Sequence, residues 1–89
     1  MKIKKYQNRF RYYLGRKYPG IYLTSQEASC VTQLLKNMKY HDIGKILGKS
    51  PPTVNFYLRN VRIKLKCKNR AQLIEAIQQT DFVAYINKK

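Results

Sequence analysis

The amino-acid sequence predicts an all-α fold, a small domain of four helices that follows a basic and aromatic N-terminal extension. Three observations support this prediction. Apolar residues recur at the spacing of one buried helix face in one segment after another. Residues that cap helix ends stand in front of these segments, and turn-forming residues separate them. The strict alternation of apolar and polar residues that marks a half-buried strand is weak throughout.

Residues 1–22 form the predicted extension, in which lysines and arginines are interleaved with aromatic residues. Its residues at helical spacing, which favour a short amphipathic helix, are Tyr6, Phe10, Tyr13 and Leu14. Gly15 is a residue type that ends helices, and Pro19-Gly20 is a turn signal. Two interpretations stay open. The extension packs on the domain or lies in solvent, or it is an accessory arm that contacts DNA phosphates or a minor groove.

The first helix of the domain is predicted from residue 25 to about residue 37. Thr24 and Glu27 have the spacing of a capping box, in which each side chain accepts a hydrogen bond from the other residue's backbone N–H. The apolar face of this helix is predicted to comprise Ala28, Val31, Leu34 and Leu35. A short second helix is predicted to carry the apolar residues Ile43, Ile46 and Leu47. It ends at Gly48, because glycine readily adopts the left-handed conformation that terminates helices.

The third and fourth helices also begin at recognisable residues. Ser50 is a good N-cap for the third helix, and Pro51 suits its first turn because the missing N–H is not needed there. One apolar stripe of this helix contains Val54, Leu58, Val61 and Leu65. Asn69 caps the fourth helix, whose apolar residues are Leu73, Ile74 and Ile77. The domain therefore covers residues 23–82, and residues 83–89 are predicted to be a frayed tail.

The charge of the chain indicates a polyanionic partner. Nineteen lysines and arginines oppose four acidic residues, which gives a formal net charge of +15. Such an excess destabilises a compact protein by self-repulsion, and binding to nucleic acid relieves it. A short helix, a tight turn at Gly48 and a longer third helix are the arrangement of a helix-turn-helix, whose second helix lies in the major groove of duplex DNA.

The outer face of the third helix carries side chains suited to reading bases. Asn55 can pair with adenine, Arg59 with guanine, and the ring of Phe56 can contact a thymine methyl group. Candidate phosphate contacts are Lys49, Ser50, Thr53, Tyr57 and Arg62. The backbone amides at the start of this helix are expected to help hold the phosphate. A pair of helices without any DNA-binding role can share the same short turn and polar face, but the net charge favours the DNA reader.

Residues 23–75 resemble the DNA-binding domain of LuxR-type transcription regulators, which is also found in GerE-like proteins. The stretches that carry the resemblance are Leu23 to Glu27, Asp42 to Gly44, Leu47 to Pro51, Thr53-Val54, Leu58 to Leu65 and Asn69-Arg70. The resemblance implies a four-helix domain with its third helix in the major groove. It also implies base contacts by Asn55, Phe56 and Arg59, and a homodimer contact through the fourth helix at Gln72, Glu75, Ala76 and Gln79.

Four positions depart from the family pattern. Lys39 stands where a serine or threonine cap is usual, so the second helix is expected to begin irregularly. Gly44 replaces a common alanine, at a cost of about 1 kcal/mol in helix propensity. Lys49 replaces an apolar turn residue and is expected to point to solvent or to a phosphate. Lys66 replaces a glycine that often ends the third helix, so that helix is expected to run on.

Other function classes find little support in the sequence. His41 has no nucleophile or carboxylate at a recognisable spacing, so no catalytic residue and no enzyme activity are predicted. Cys30 and Cys67 are expected to be free, partly buried thiols. No metal site, cofactor, small-molecule ligand, membrane span or secretory signal is predicted. The expected location is the cytoplasm, on the nucleoid.

The sequence therefore predicts a transcription regulator that binds double-stranded DNA as a homodimer. Two alternatives remain open at this stage. One is a protein that coats nucleic acid without reading its sequence, through charge and aromatic residues. The other is an interaction protein that pairs with a related regulator through the fourth helix and thereby modulates it.

Overall fold

The computed structural model describes residues 11–86, and within them it contains two short strands and five helices. The strands are β1 (Tyr12–Tyr13) and β2 (Tyr22–Leu23). The helices are α1 (Ser25–Leu34), α2 (Tyr40–Leu47), α3 (Pro51–Leu65), α4 (Arg70–Gln78) and α5 (Phe82–Ile86). The fold is all-α as predicted, with the four expected helices in α1 to α4 and one hairpin in front of them.

The capping box at the start of α1 is confirmed. Thr24 Oγ1 accepts from the Glu27 backbone N–H at 3.2 Å, and Glu27 Oε1 accepts from the Thr24 N–H at 2.9 Å. The helix ends at Leu34, earlier than expected, because the chain turns through Asn37, which has a left-handed φ of 65°. Asparagine tolerates that conformation better than most residues do, so it serves here as the helix terminator.

The core lies between the inner faces of α1, α2, α3 and α4. All four residues of the predicted α3 stripe are buried, at 0 to 4% exposure. The expected apolar face of α2 is only partly confirmed. Ile43 is fully buried and Leu47 is half-buried, but Ile46 is 57% exposed because it lies about 100° around the helix from Leu47, away from the side that carries Gly44.

The hairpin replaces the helix that was expected in the N-terminal extension. Tyr12 lies opposite Leu23 and Tyr13 opposite Tyr22 in the antiparallel pair. The helix prediction is therefore wrong from Tyr12 onward, since tyrosine packs well in strands and Gly15 and Gly20 adopt left-handed φ values of 99° and 76° in the connecting loop. The turn predicted at Pro19-Gly20 is confirmed. Tyr6 and Phe10 lie outside the described residues.

Long-range contacts attach the hairpin and α5 to the domain. Leu14 and Phe82 are each 1% exposed, and the Leu14 carbonyl accepts from the Asp81 N–H at 3.0 Å. The Tyr12 and Phe82 rings meet edge to face, with centroids 6.0 Å apart. The prediction of a frayed tail from residue 83 is wrong as far as Ile86, because α5 covers this segment. Residues 87–89 lie outside the described residues.

The C-terminal end of α3 differs from the expectation that the helix runs on. Lys66 itself adopts a left-handed φ of 58° and ends the helix, although it is not a glycine. The N–H of Cys67 then donates to the Arg62 carbonyl at 2.8 Å, which satisfies one of the carbonyls left free at the helix end. Asn69 caps α4 as predicted, through its bond from the Gln72 N–H at 2.9 Å.

Both cysteines are free, Cys30 in the core and Cys67 half-buried. Burial raises the pKa of each thiol, so both stay protonated at neutral pH. Residues 11–86 contain no cluster of histidine, cysteine or acidic side chains that could hold a metal ion. In the same part of the chain, no helix has the length and apolar character needed to cross a membrane.

Candidate nucleic-acid interface

The turn between α2 and α3 fixes how α3 is presented. Gly48 ends α2 with a left-handed φ of 69°, and the Lys49 N–H donates to the Gly44 carbonyl at 2.8 Å. A Cβ atom on Gly44 would lie 2.3 Å from the Lys49 carbonyl oxygen. The absence of a side chain at Gly44 therefore allows the Lys49 carbonyl to approach the helix, and an alanine there would force this close turn to open.

The N-terminal end of α3 is held by side chains. Ser50 Oγ accepts from the Thr53 N–H at 3.3 Å and lies 2.9 Å from Thr53 Oγ1. Fewer backbone amides are available here to hold a phosphate than the sequence analysis expects. Pro51 and Pro52 have no N–H, and the next amide, that of Thr53, is already bonded to Ser50. The hydroxyl groups of Ser50 and Thr53 and the ammonium of Lys49 are therefore the main candidates to hold an anion at this end.

The predicted base-contacting residues share the outer face of α3. Asn55, Phe56 and Arg59 are all exposed, whereas Val54 and Leu58 on the inner face are fully buried. Phe56 is 57% exposed, and its ring meets that of Tyr57 at a centroid distance of 5.5 Å. An aromatic ring held in water by a rigid helix is available for an apolar contact with a ligand. α3 carries no acidic residue that would repel a phosphate backbone.

The residues predicted to contact phosphates differ in their exposure and in their partners within the chain. Lys49 is half-buried, and its Nζ lies 5.7 Å from the centroid of the Tyr57 ring. Arg62 is also half-buried, and its Nη1 donates to the Tyr40 hydroxyl at 3.2 Å. Ser50 is exposed, while Thr53 and Tyr57 are half-buried. Arg62 is therefore partly engaged within the protein, whereas Lys49 and the Ser50–Thr53 pair border the exposed start of α3.

Sequence reasoning missed the cluster around Tyr40. Arg70 Nη2 donates to the Met38 carbonyl at 2.9 Å, and its guanidinium lies 5.9 Å from the centroid of the Tyr40 ring. Arg62 donates a hydrogen bond to the hydroxyl group of the same tyrosine. The cluster joins the start of α2 to α3 and to α4. Only the tertiary fold brings these residues together, so their spacing along the chain carries no signal of it.

The predicted dimer residues lie on the outward side of α4. Gln72, Glu75 and Gln79 are exposed and Ala76 is half-buried. Two of the side chains already have intrachain partners: Gln72 Oε1 accepts from the Lys68 N–H at 2.8 Å, and Gln79 Oε1 accepts from the Lys17 ammonium of the hairpin loop. The large exposed apolar residues of the described chain are Tyr13, Ile46, Phe56 and Ile63, and none of them lies on α4. This face is therefore polar.

The family comparison agrees with this geometry. Residues 22–77 match the family model GerE, described as bacterial regulatory proteins of the LuxR family. The chain is 41% identical over 59 residues to the transcriptional activator protein LuxR of Aliivibrio fischeri strain ATCC 700601 / ES114, and this alignment covers 66% of the chain and 24% of that protein.

A second LuxR sequence from Aliivibrio fischeri is 42% identical over 52 residues, which cover 58% of this chain and 21% of that protein. The chain thus spans about a quarter of the length of the curated relatives it matches. No solved structure matches the chain.

Proposed function

This chain belongs to the LuxR family of bacterial regulatory proteins, and we propose that it is a transcription regulator that reads duplex DNA with α3 in the major groove. The observation that carries the proposal is the contrast between the two faces of α3. Its inner stripe is buried in the core, while Asn55, Phe56 and Arg59 project from the outer face into solvent.

Each of these three side chains suits a different feature of the major groove. The Asn55 amide can donate to and accept from an adenine edge, and the Arg59 guanidinium can donate twice to a guanine edge. The exposed ring of Phe56 fits the methyl group of thymine, which is the main apolar feature of the groove. The proposed preference is therefore for a short site that contains both a thymine and a guanine.

Side chains, and not backbone amides, are proposed to position the protein on the phosphates. The two prolines remove two N–H donors from the start of α3, and the Thr53 N–H is bonded to Ser50, so the ammonium of Lys49 and the hydroxyls of Ser50 and Thr53 take that role. Tyr57 and Arg62 lie further along the helix and would contact the flanking backbone. Such contacts make binding strongly dependent on salt concentration.

We infer that the homodimer forms on DNA and not in free solution. The outward side of α4 is polar, and two of its glutamines already have partners within the chain. Two copies, each with a formal charge of +15, also repel one another until DNA phosphates neutralise them. A two-fold DNA site would then bring the two α4 helices together at Gln72, Glu75, Ala76 and Gln79.

The experiment that tests the proposal is selection from a pool of random duplexes with the purified chain at near-physiological salt. Enrichment of a two-fold-related motif, with half-sites about one helical turn apart, is the expected result. If no motif is enriched and binding collapses as salt rises, the chain coats nucleic acid without reading it. A motif with a single half-site would retain the reading function and refute the dimer.

A further inference from the structure

A groove lies between the hairpin loop and the C-terminal end of α3. Its volume is about 340 Å³. The hairpin side is lined by Lys17, Tyr18, Pro19 and Ile21, and the helix side by Lys64 and Lys66. The residues on the hairpin side precede the segment that matches the family model. The groove is therefore built partly from chain that the helix-turn-helix itself does not require.

The groove combines an apolar floor with a basic rim. Tyr18, Pro19 and Ile21 supply apolar surface, and no acidic residue lines the groove. Lys64 is neutralised, because its Nζ lies 2.6 Å from Glu27 Oε1. Lys17 donates to the uncharged amide of Gln79, and Lys66 is exposed. Within residues 11–86, neither Lys17 nor Lys66 forms an ion pair, so both ammonium charges are available to an anionic ligand.

The groove faces away from the DNA-reading residues. Nine residues of α-helix make about two and a half turns, so Lys64 lies on the opposite side of α3 from Asn55. The groove also lies at the C-terminal end of α3, whereas Asn55, Phe56 and Arg59 lie in its first nine residues. A phosphate backbone also gains little from the apolar floor, whereas a peptide with an apolar side chain between carboxylates matches both the floor and the rim.

We propose that this groove binds an acidic segment of a partner protein, with an aliphatic or aromatic side chain on the floor and flanking carboxylates near Lys17 and Lys66. The positive charges of Lys17 and Lys66 are complementary to those of an acidic segment. The chain would then hold DNA on one side and an acidic protein segment on the other. This inference does not depend on sequence reading by α3.

The test uses fluorescence anisotropy with a short labelled peptide in which aspartates flank a leucine-phenylalanine pair. The double variant Lys17→Glu/Lys66→Glu reverses the rim charges, and Lys36→Glu/Lys45→Glu makes the same change in net charge at exposed positions outside the groove. Lys64 is left intact because it pairs with the buried Glu27. We expect the groove variant to bind the peptide about tenfold more weakly than the control variant does.

A second peptide, with serines in place of leucine and phenylalanine, is expected to bind the wild-type chain more weakly than the first. The first peptide is also expected to bind equally well when duplex DNA is already bound. Equal losses in the two double variants, or no saturable binding by the wild-type chain, would overturn the proposal. It would also fall if the groove variant lost DNA affinity and kept its peptide affinity, since the groove would then be a phosphate site.

Discussion

The helix-turn-helix segment, residues 22–77, and its flanks, residues 11–21 and 80–86, are held in place by different kinds of contact. Within the segment, the helix starts are fixed by hydrogen bonds over three residues, as between Thr24 and Glu27 or between Asn69 and Gln72. The flanks depend on contacts between distant parts of the chain, such as the bond from the Asp81 N–H to the Leu14 carbonyl. Local signals therefore define the first region and tertiary packing defines the second.

This difference assigns the two regions different roles. The segment presents α3 to DNA, while the flanks close the core with Leu14 and Phe82 and build one wall of the lysine-rimmed groove. Within the segment, Lys64 of α3 joins α1 to β2, because its ammonium group donates to Glu27 Oε1 at 2.6 Å and to the Tyr22 carbonyl at 2.9 Å. The following changes separate the contributions of the two regions, beginning with the largest expected effect.

Truncation of Leu14 tests whether the hairpin belongs to the cooperative core. We expect Leu14→Ala to lower the free energy of unfolding by about 3 kcal/mol, because it opens a cavity in the hydrophobic core at a site that is 1% exposed. Chemical denaturation followed by circular dichroism measures this, with Leu58→Ala as the reference for a core position in α3. A loss below about 1 kcal/mol for Leu14→Ala, beside a full loss for Leu58→Ala, would show that the hairpin unfolds independently.

The sequence predicts the helix-turn-helix segment better than the flanks, because the signals that define the segment are local and those that define the flanks are not. Capping residues and apolar spacing are local, so Thr24, Ser50 and Asn69 mark helix starts without knowledge of the fold. The pairing of Tyr12 with Leu23 and the burial of Leu14 depend on residues far along the chain. The helical spacing of Tyr13 and Leu14 with the residues before them is therefore misleading, since a tyrosine also suits a strand.

The candidate site shows the same limit. Exposure of Asn55, Phe56 and Arg59 followed from the periodicity of α3, and the structure places them on the outer face as expected. The two adjacent prolines, Pro51 and Pro52, remove two amide donors from the start of α3, which follows from the sequence alone. The hydrogen bond between Arg62 and Tyr40 forms only when α2 packs against α3, so no local pattern in the sequence predicts it.

Removal of the Lys64 ammonium group tests the ion pair that joins α3 to α1 within the segment. We expect Lys64→Met to cost about 2 kcal/mol, because the Glu27 carboxylate is only 5% exposed and loses its cationic partner. Lys66→Met, an exposed matched control, is expected to change stability by less than about 0.5 kcal/mol. The double variant Glu27→Gln/Lys64→Met should regain part of the loss, because glutamine keeps the capping box without a charge. Failure to regain any stability would refute the ion-pair explanation.

Substitution of Arg59 tests the reading function of the segment alone. We expect Arg59→Ala to weaken binding to the preferred duplex by about 1–3 kcal/mol and to leave binding to random duplex almost unchanged. Lys36→Ala removes one exposed charge from the turn that follows α1 and serves as the control. Equal weakening on both duplexes would indicate that Arg59 contacts phosphate, and the assignment of a base contact would then be wrong.

Substitution of basic residues before the hairpin tests the accessory-arm interpretation. That interpretation remains a prediction, because residues 1–10 lie outside the described residues. We expect Lys4→Ala/Lys5→Ala to weaken DNA binding a few-fold and to lower the slope of log K against log salt by about 0.9 for each lost phosphate contact. Titrations at several salt concentrations measure the slope. An unchanged slope would show that these lysines do not contact DNA.

The central claim is that α3 reads base sequence, and the ratio of affinities for the selected duplex and a scrambled duplex of equal length tests it most directly. Both affinities must be measured at the same near-physiological salt, because charge alone gives a salt-dependent background. The account predicts a ratio of about a thousand or more. A ratio close to one would contradict it and would leave a protein that binds nucleic acid through its charge alone.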